Sequence, residues 1–238
     1  MKKKIVTLSL VAALAVTAIG GTLAYFTDKD SATNVMTLGN VNIEQLEKDK
    51  EGNVFEQNQP LNPMVDNREE NDFLKGEDGF FNEKMENVID KVVTVENIGS
   101  KKAYVRTILL FETAKVYEAN TDNIIGDAHD MYIGVSGDFD YLKDGDNFVT
   151  VTIDNVEYVI AVKVYEDALA AGAESAPSLK QFFLAPTANN EVMDLFGNEY
   201  TILALSQAVQ TDGFEDAETA LDTAFGVVDA TNCAEWFK

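Results

Sequence analysis

The acidic residues between positions 138 and 147 are the strongest candidates for chemistry in this sequence. Asp138, Asp140, Asp144 and Asp146 fall in a short stretch that also contains Gly145. Calcium takes about six to eight oxygen ligands, and acidic loops supply them. The spacing is not that of an EF-hand, in which acids occupy alternate positions before a glycine. Two interpretations stay open, a solvated acidic turn or a calcium site at these four aspartates.

The single histidine limits metal and nucleophilic chemistry. No His-Glu-x-x-His motif occurs, so a zinc ion would need His129 together with carboxylates, and Asp127, Asp130 and Glu112 are candidates by local order. No Gly-x-Ser-x-Gly motif and no Gly-rich phosphate loop occurs. Cys233 is the only cysteine, which excludes an intrachain disulfide, and we predict a buried structural thiol. We therefore predict no catalytic residue, and no cofactor other than the calcium alternative.

The charge balance excludes one class of partner. The 238 residues hold 41 Asp and Glu against 18 Lys and Arg, a formal net charge of −23. Nucleic acid is bound by clustered Lys and Arg, so this chain is not expected to bind it. Apolar residues make up 46%, which is enough for a packed core.

The N-terminus predicts an export signal. Lys2, Lys3 and Lys4 precede an uncharged apolar run from 5 to 24, the pattern of a signal peptide. Small residues favour cleavage after Ala24, and cleavage after Tyr25 would leave Phe26 first. An uncleaved membrane anchor is the alternative. Removing three lysines and no acid would leave a mature charge of about −26.

Three stretches resemble the TasA/camelysin family of Gram-positive bacteria. They are GGTLAYFTDKDSATNVMTLGNVNIE at 20–44, KVVTVENIGSKKAYVR at 91–106 and LALSQAVQTDGFEDAETALDTAFG at 203–226. The resemblance implies a secreted protein released by the dedicated signal peptidase SipW. It also implies a jelly-roll-like β-sandwich that builds biofilm-matrix fibres, with the freed N-terminal segment adding as a strand to the next subunit. Some members are described as casein-cleaving metalloproteases, which implies an alternative activity.

The segment after the predicted cut is suited to edge pairing. Alternating residues are predicted to contact a neighbouring subunit as a donor strand, namely Val35, Thr37, Val41 and Ile43. The alternative is an ordinary first strand of the chain's own sheet. Residues 46–87 are acidic, contain two prolines and lack periodicity, which predicts a long surface excursion.

The remaining periodicity predicts the elements that must carry these residues. Predicted strands are 88–96, 103–111, 148–153, 156–165 and 200–209, with the Asp154-Asn155 pair closing a hairpin. Predicted helices are 189–196 and 215–225, the second closed by Gly226. Arg106 lies in a strand that is apolar on both faces, so it needs a carboxylate or carbonyl partner.

These patterns predict a mainly β protein, a jelly-roll-like antiparallel β-sandwich decorated with a few short helices. The predicted organisation is a signal peptide at 1–25 and a secreted domain at 26–238. The predicted function is a non-enzymatic extracellular fibre subunit, with self-assembly and SipW as its partners and no direct membrane binding after processing. A camelysin-like secreted metalloprotease and a cell-surface adhesin are the alternatives.

Overall fold

The computed structural model describes residues 27–30, 41–113, 124–125, 132–188 and 200–238. For Thr27–Asp30 and Ile124–Ile125 only the backbone pairing is described. Several predicted features lie outside the described residues: the export signal with Ala24, Tyr25 and Phe26, the donor residues Val35 and Thr37, the zinc candidates His129, Asp127 and Asp130, and the helix at 189–196.

The described residues are mainly β, as the sequence predicted, with two short helices. The strands are β1 Thr27–Asp30, β2 Ile43–Lys48, β3 Val65–Asp66, β4 Met85–Glu86, β5 Val88–Asn97, β6 Ala103–Glu112, β7 Ile124–Ile125, β8 Ile133–Gly137, β9 Asp140–Tyr141, β10 Lys143–Asp144, β11 Asn147–Phe148, β12 Thr150–Ile153, β13 Val156–Leu169, β14 Leu179–Leu184 and β15 Ile202–Gln210. The helices are α1 Ala217–Phe225 and α2 Ala230–Trp236. None of the helices in the described ranges is long and apolar enough to cross a membrane.

Two antiparallel sheets carry the fold. The six-stranded sheet has the order β1-β15-β6-β13-β12, with β9 also paired to β13. The five-stranded sheet has the order β2-β5-β14-β8-β7. Two small ladders, β3–β4 and β10–β11, stand apart from these sheets. The architecture is consistent with a β-sandwich, and the jelly-roll connectivity stays a prediction.

The main core lies between the two sheets. Leu109 and Phe111 of β6 pack with Val159 of β13, and from the other sheet they meet Val93 of β5 and Leu179 of β14. Each of these five side chains has 0% exposure. This burial of alternate strand residues is the principal apolar contribution to a sandwich.

The six-stranded sheet is also covered on its second face. Ile108 and Leu110, the other face of β6, pack with Leu205 of β15 and with Cys233 of α2. Leu221 of α1 packs nearby in a separate cluster. The prediction that 103–111 is buried on both faces is therefore confirmed, and the helices supply the second cover.

The excursion covers the outer face of the five-stranded sheet. Its residues Met64, Phe81 and Met85 pack against Phe183 of β14, and the Met64 amide donates to the Leu184 carbonyl at 2.8 Å. Residues 46–48 continue β2 because they pair with β5, so the irregular part begins after them.

Two local predictions are confirmed, the hairpin at its exact turn and the helix with a later start. The β12–β13 hairpin turns at Asp154 and Asn155, whose φ angles of 49° and 68° are the left-handed values that a tight two-residue loop requires. Helix α1 begins after Asp216, whose side chain accepts from the Thr219 amide at 2.8 Å, and it ends at Gly226. The helix starts two residues later than predicted because Asp216 takes the extended backbone of an N-cap.

Candidate functional site

The edge of the six-stranded sheet is formed by the segment that directly follows the predicted cleavage region. Strand β1 pairs antiparallel with β15, with Thr27 opposite Val209 and Asp30 opposite Ser206. On its other side β15 pairs with β6. Strand β1 is therefore the outermost strand, and it is held to the sheet by backbone pairing to β15.

One hydrogen bond next to the start of β15 shows toward which neighbouring strand each of its residues directs its amide and carbonyl. The Thr201 carbonyl accepts from the Glu112 amide of β6 at 3.1 Å, so odd-numbered residues direct their backbone groups toward β6. Successive residues of a strand point to opposite sides. Ala204, Ser206 and Ala208 therefore direct their amides and carbonyls to the edge that β1 covers.

One side chain from the other sheet also reaches this edge. Gln45 of β2 donates through Nε2 to the Ala204 carbonyl at 3.3 Å, and its Oε1 accepts from the Ser206 hydroxyl at 2.8 Å. The Ser206 hydroxyl also lies 3.1 Å from the Thr107 hydroxyl of β6. Gln45 thus ties the edge of one sheet to the edge of the other.

The predicted donor residues that the structure describes lie in the chain's own core. Val41 and Ile43 are 2% and 3% exposed and cluster with Val95, Val105 and Ala208. Ile43 begins β2, which is the edge strand of the five-stranded sheet. This placement is the alternative that the sequence left open, a first strand of the chain's own sheet.

Arg106 holds the helical layer to the six-stranded sheet. Its guanidinium donates to Gln207 Oε1 at 2.8 Å, Asp222 Oδ1 at 2.7 Å and the Gly226 carbonyl at 2.8 Å. It also lies 5.3 Å from the Trp236 ring. Burial lowers the pKa of Arg106, and the hydrogen bond with Asp222 opposes that effect. The predicted carboxylate or carbonyl partner is confirmed, since both are present.

The four aspartates of the calcium alternative are distributed over separate elements. Asp138 accepts from Lys163 Nζ at 2.6 Å, Asp140 is in β9, and Asp144 and Asp146 flank the turn at Gly145. Within the part of the chain that the structure describes, no group of three or more His, Cys, Asp or Glu side chains is placed to hold a metal. Calcium binding stays a prediction.

Glu112 and Cys233 both have structural surroundings. Glu112 accepts from the Thr201 amide at 2.8 Å, which helps to align β6 with β15. Cys233 has 0% exposure, and burial raises the pKa of its thiol to about 12. A thiol with this pKa is not a thiolate at neutral pH, so it lacks the reactive form. The predicted burial of Cys233 is confirmed.

Sequence reasoning missed β1 and Gln45. The segment Thr-Asp-Lys-Asp at 27–30 has no apolar residue, so periodicity predicts no strand there. Gln45 carries no sequence signal, because its role depends on the approach of two sheet edges. The chain matches no protein-family model, no curated protein and no solved structure at a significant level.

Proposed function

We propose that this protein is an exported structural subunit that assembles into extracellular fibres by β-strand addition. The observation that carries the proposal is the place of β1, a polar strand on the edge of the six-stranded sheet next to the predicted cleavage region. The family resemblance of residues 20–44, 91–106 and 203–226 supports the same function.

The mechanism is an exchange of edge strands between subunits. Strand β1 leaves its own β15, and β1 of the next subunit takes the same register, in which Asp30 lies opposite Ser206 and Asp28 lies opposite Ala208. Each subunit then gives one strand and receives one. Such a contact is heterologous and does not close, so it propagates into a filament.

The energetics of the exchange are favourable to assembly at high subunit concentration. The register pairs only four residues of β1, and each backbone hydrogen bond contributes a net of about 1 kcal/mol. The bonds lost inside one subunit are the same as those regained between two subunits. The equilibrium therefore depends on subunit concentration and on the freedom of the linking segment.

Charge opposes this assembly and makes it sensitive to conditions. The mature chain would carry about −26, so subunits repel each other at neutral pH and low salt. We expect fibre growth to accelerate when salt screens the charges, when carboxylates are protonated, or when divalent cations bind. Thioflavin fluorescence and electron microscopy across pH, salt and calcium would measure the rate of fibre growth. A growth rate that is independent of all three conditions would contradict the prediction.

Cysteine cross-linking tests the exchange itself. A Thr27→Cys population and a Val209→Cys population are mixed, assembled and mildly oxidised, and covalent dimers are counted by gel electrophoresis. These two positions are paired across β1 and β15. The control mixes the Thr27→Cys population with a Thr152→Cys population, because Thr152 lies on β12 at the opposite edge of the sheet and should give no dimers. Fibres that form without Thr27–Val209 dimers would refute the mechanism. Deleting residues 26–36 should also abolish fibres.

A further inference from the structure

The register of β1 on β15 has no apolar determinant. The four residues of β1 are Thr27, Asp28, Lys29 and Asp30. Register is strongly specified where one face of a strand is apolar and buried, and weakly specified in a polar strand. A shift of two residues also preserves the direction of every side chain and of every backbone group. Another feature must therefore distinguish the observed register from its neighbours.

The Gln45 amide occupies the next acceptor along the edge. Its Nε2 donates to the Ala204 carbonyl at 3.3 Å. Ala204 is the next residue of β15 that faces the edge after Ser206, which lies opposite Asp30. The orientation of the amide follows from its partners, because a flipped amide would set its oxygen against the Ala204 carbonyl. The backbone of Gln45 is itself held by pairing opposite Val95, which is fully buried.

We propose that Gln45 is a register stop for the strand that adds to β15. A shift of two residues toward the start of β15 would place Asp30 opposite Ala204, where the Gln45 amide already donates. A shift of two residues in the other direction would place Thr27 opposite Thr211, beyond the end of β15 at Gln210. Gln45 thus bounds the register on the Ala204 side, whereas on the other side Thr27 alone would pass the end of β15. The inference deepens the proposed function, on which its importance for assembly rests, whereas the register is measurable in the monomer.

The test uses two cysteine pairs that share the same cysteine on β15, introduced at position 207. Lys29→Cys with Gln207→Cys reports the observed register, and Thr27→Cys with Gln207→Cys reports the shifted one. Odd-numbered residues of β15 form the non-hydrogen-bonded pairs with β1, in which Cα atoms lie about 4.5 Å apart, within disulfide range. Losing the bond between Gln207 and Arg106 affects both variants equally. The buried Cys233 thiol does not compete.

The measured quantity is the ratio of shifted to observed disulfide in dilute monomer, determined by mass spectrometry. With Gln45 present, the observed pair should dominate. Gln45→Met keeps the length of the side chain but removes the donor, and it should raise the ratio about fivefold, the equivalent of one hydrogen bond of about 1 kcal/mol. Gln59→Met, at an exposed position outside both sheets, is the matched control and should leave the ratio unchanged.

Gln45→Glu supplies the second variant if Gln45→Met does not fold. A carboxylate still accepts from the Ser206 hydroxyl but cannot donate to the Ala204 carbonyl, so the ratio should rise here too. An unchanged ratio in a folded Gln45 variant overturns the register stop, whether or not the protein makes fibres. A raised ratio supports it, and a failure of the wild-type protein to assemble would then count against the proposed function alone.

Discussion

Arg106→Met is expected to destabilise the protein by about 3 kcal/mol. The substitution removes three hydrogen bonds and leaves the acceptors of Gln207, Asp222 and Gly226 without the guanidinium. Removing one partner of a buried ion pair costs about 3–5 kcal/mol. The Asp222 side chain is 30% exposed, so water compensates part of the loss and the lower end of that range applies.

Urea denaturation measures this loss. With a slope of about 3 kcal/mol per molar urea, the midpoint should fall by about 1 M. Trp236 is the single tryptophan, and it lies 5.3 Å from the Arg106 guanidinium. Its fluorescence therefore reports on the helical layer, while far-ultraviolet circular dichroism reports on the sheets. The fluorescence transition should shift at least as far as the dichroism transition.

Arg68→Met is the matched control for Arg106→Met. Arg68 pairs with a carboxylate too, through two bonds of 2.9 and 2.7 Å to Asp66 rather than the single bond from Arg106 to Asp222, but the Arg68 pair lies at the surface. Such pairs contribute about 0–1 kcal/mol, so the midpoint should fall by no more than about 0.3 M. If both variants lose the same stability, Arg106 does not hold the helical layer as described.

Three further predictions concern the fold. Asn155→Val should cost about 1–2 kcal/mol because a β-branched residue resists the φ of 68°, whereas Asn155→Gly should not destabilise; thermal unfolding compares the two. Gly134→Ala should cost about 1–3 kcal/mol, measured in urea, because its Cβ would lie 2.2 Å from the Phe183 ring. The pKa of Glu174 is lowered, first by the Thr94 hydroxyl and then by Lys48. The stabilisation by the Glu174 carboxylate is fully present above its unfolded pKa of about 4.5 and is lost as the pH falls through the lower folded pKa, so the stability difference between Glu174→Gln and wild type should be largest at pH 7 and shrink as the pH is lowered below that value.

Local sequence signals predicted the elements whose formation depends on nearby residues. The Asp154-Asn155 turn needs two residues that tolerate positive φ, and such residues are recognisable in any sequence. Helix α1 was predicted from the spacing of Ala217 and Leu221 and from Gly226, with an error of two residues at its start. The two-sided burial of β6 followed from apolar residues on both of its faces, Val105, Leu109 and Phe111 on one and Ile108 and Leu110 on the other.

Other elements depend on long-range pairing and carry no local signal. Strand β14 was not predicted, although it is central to the five-stranded sheet and Leu179 and Leu184 are fully buried. Strand β1 is polar throughout, and only the free edge of β15 makes it a strand. Nothing local indicated that Thr27–Asp30 and Ile43–Lys48 would lie on the edges of different sheets.

The sequence by itself determined that this chain is mainly β, strongly acidic and led by a predicted export signal, because composition and periodicity are local properties. It also determined that Arg106 needs a partner, since a buried guanidinium must be compensated. Only the tertiary structure decided that the partners are Gln207, Asp222 and Gly226, and that Gln45 reaches the Ala204 carbonyl. These contacts join residues more than a hundred positions apart, and their geometry exists only after the sheets and helices have packed.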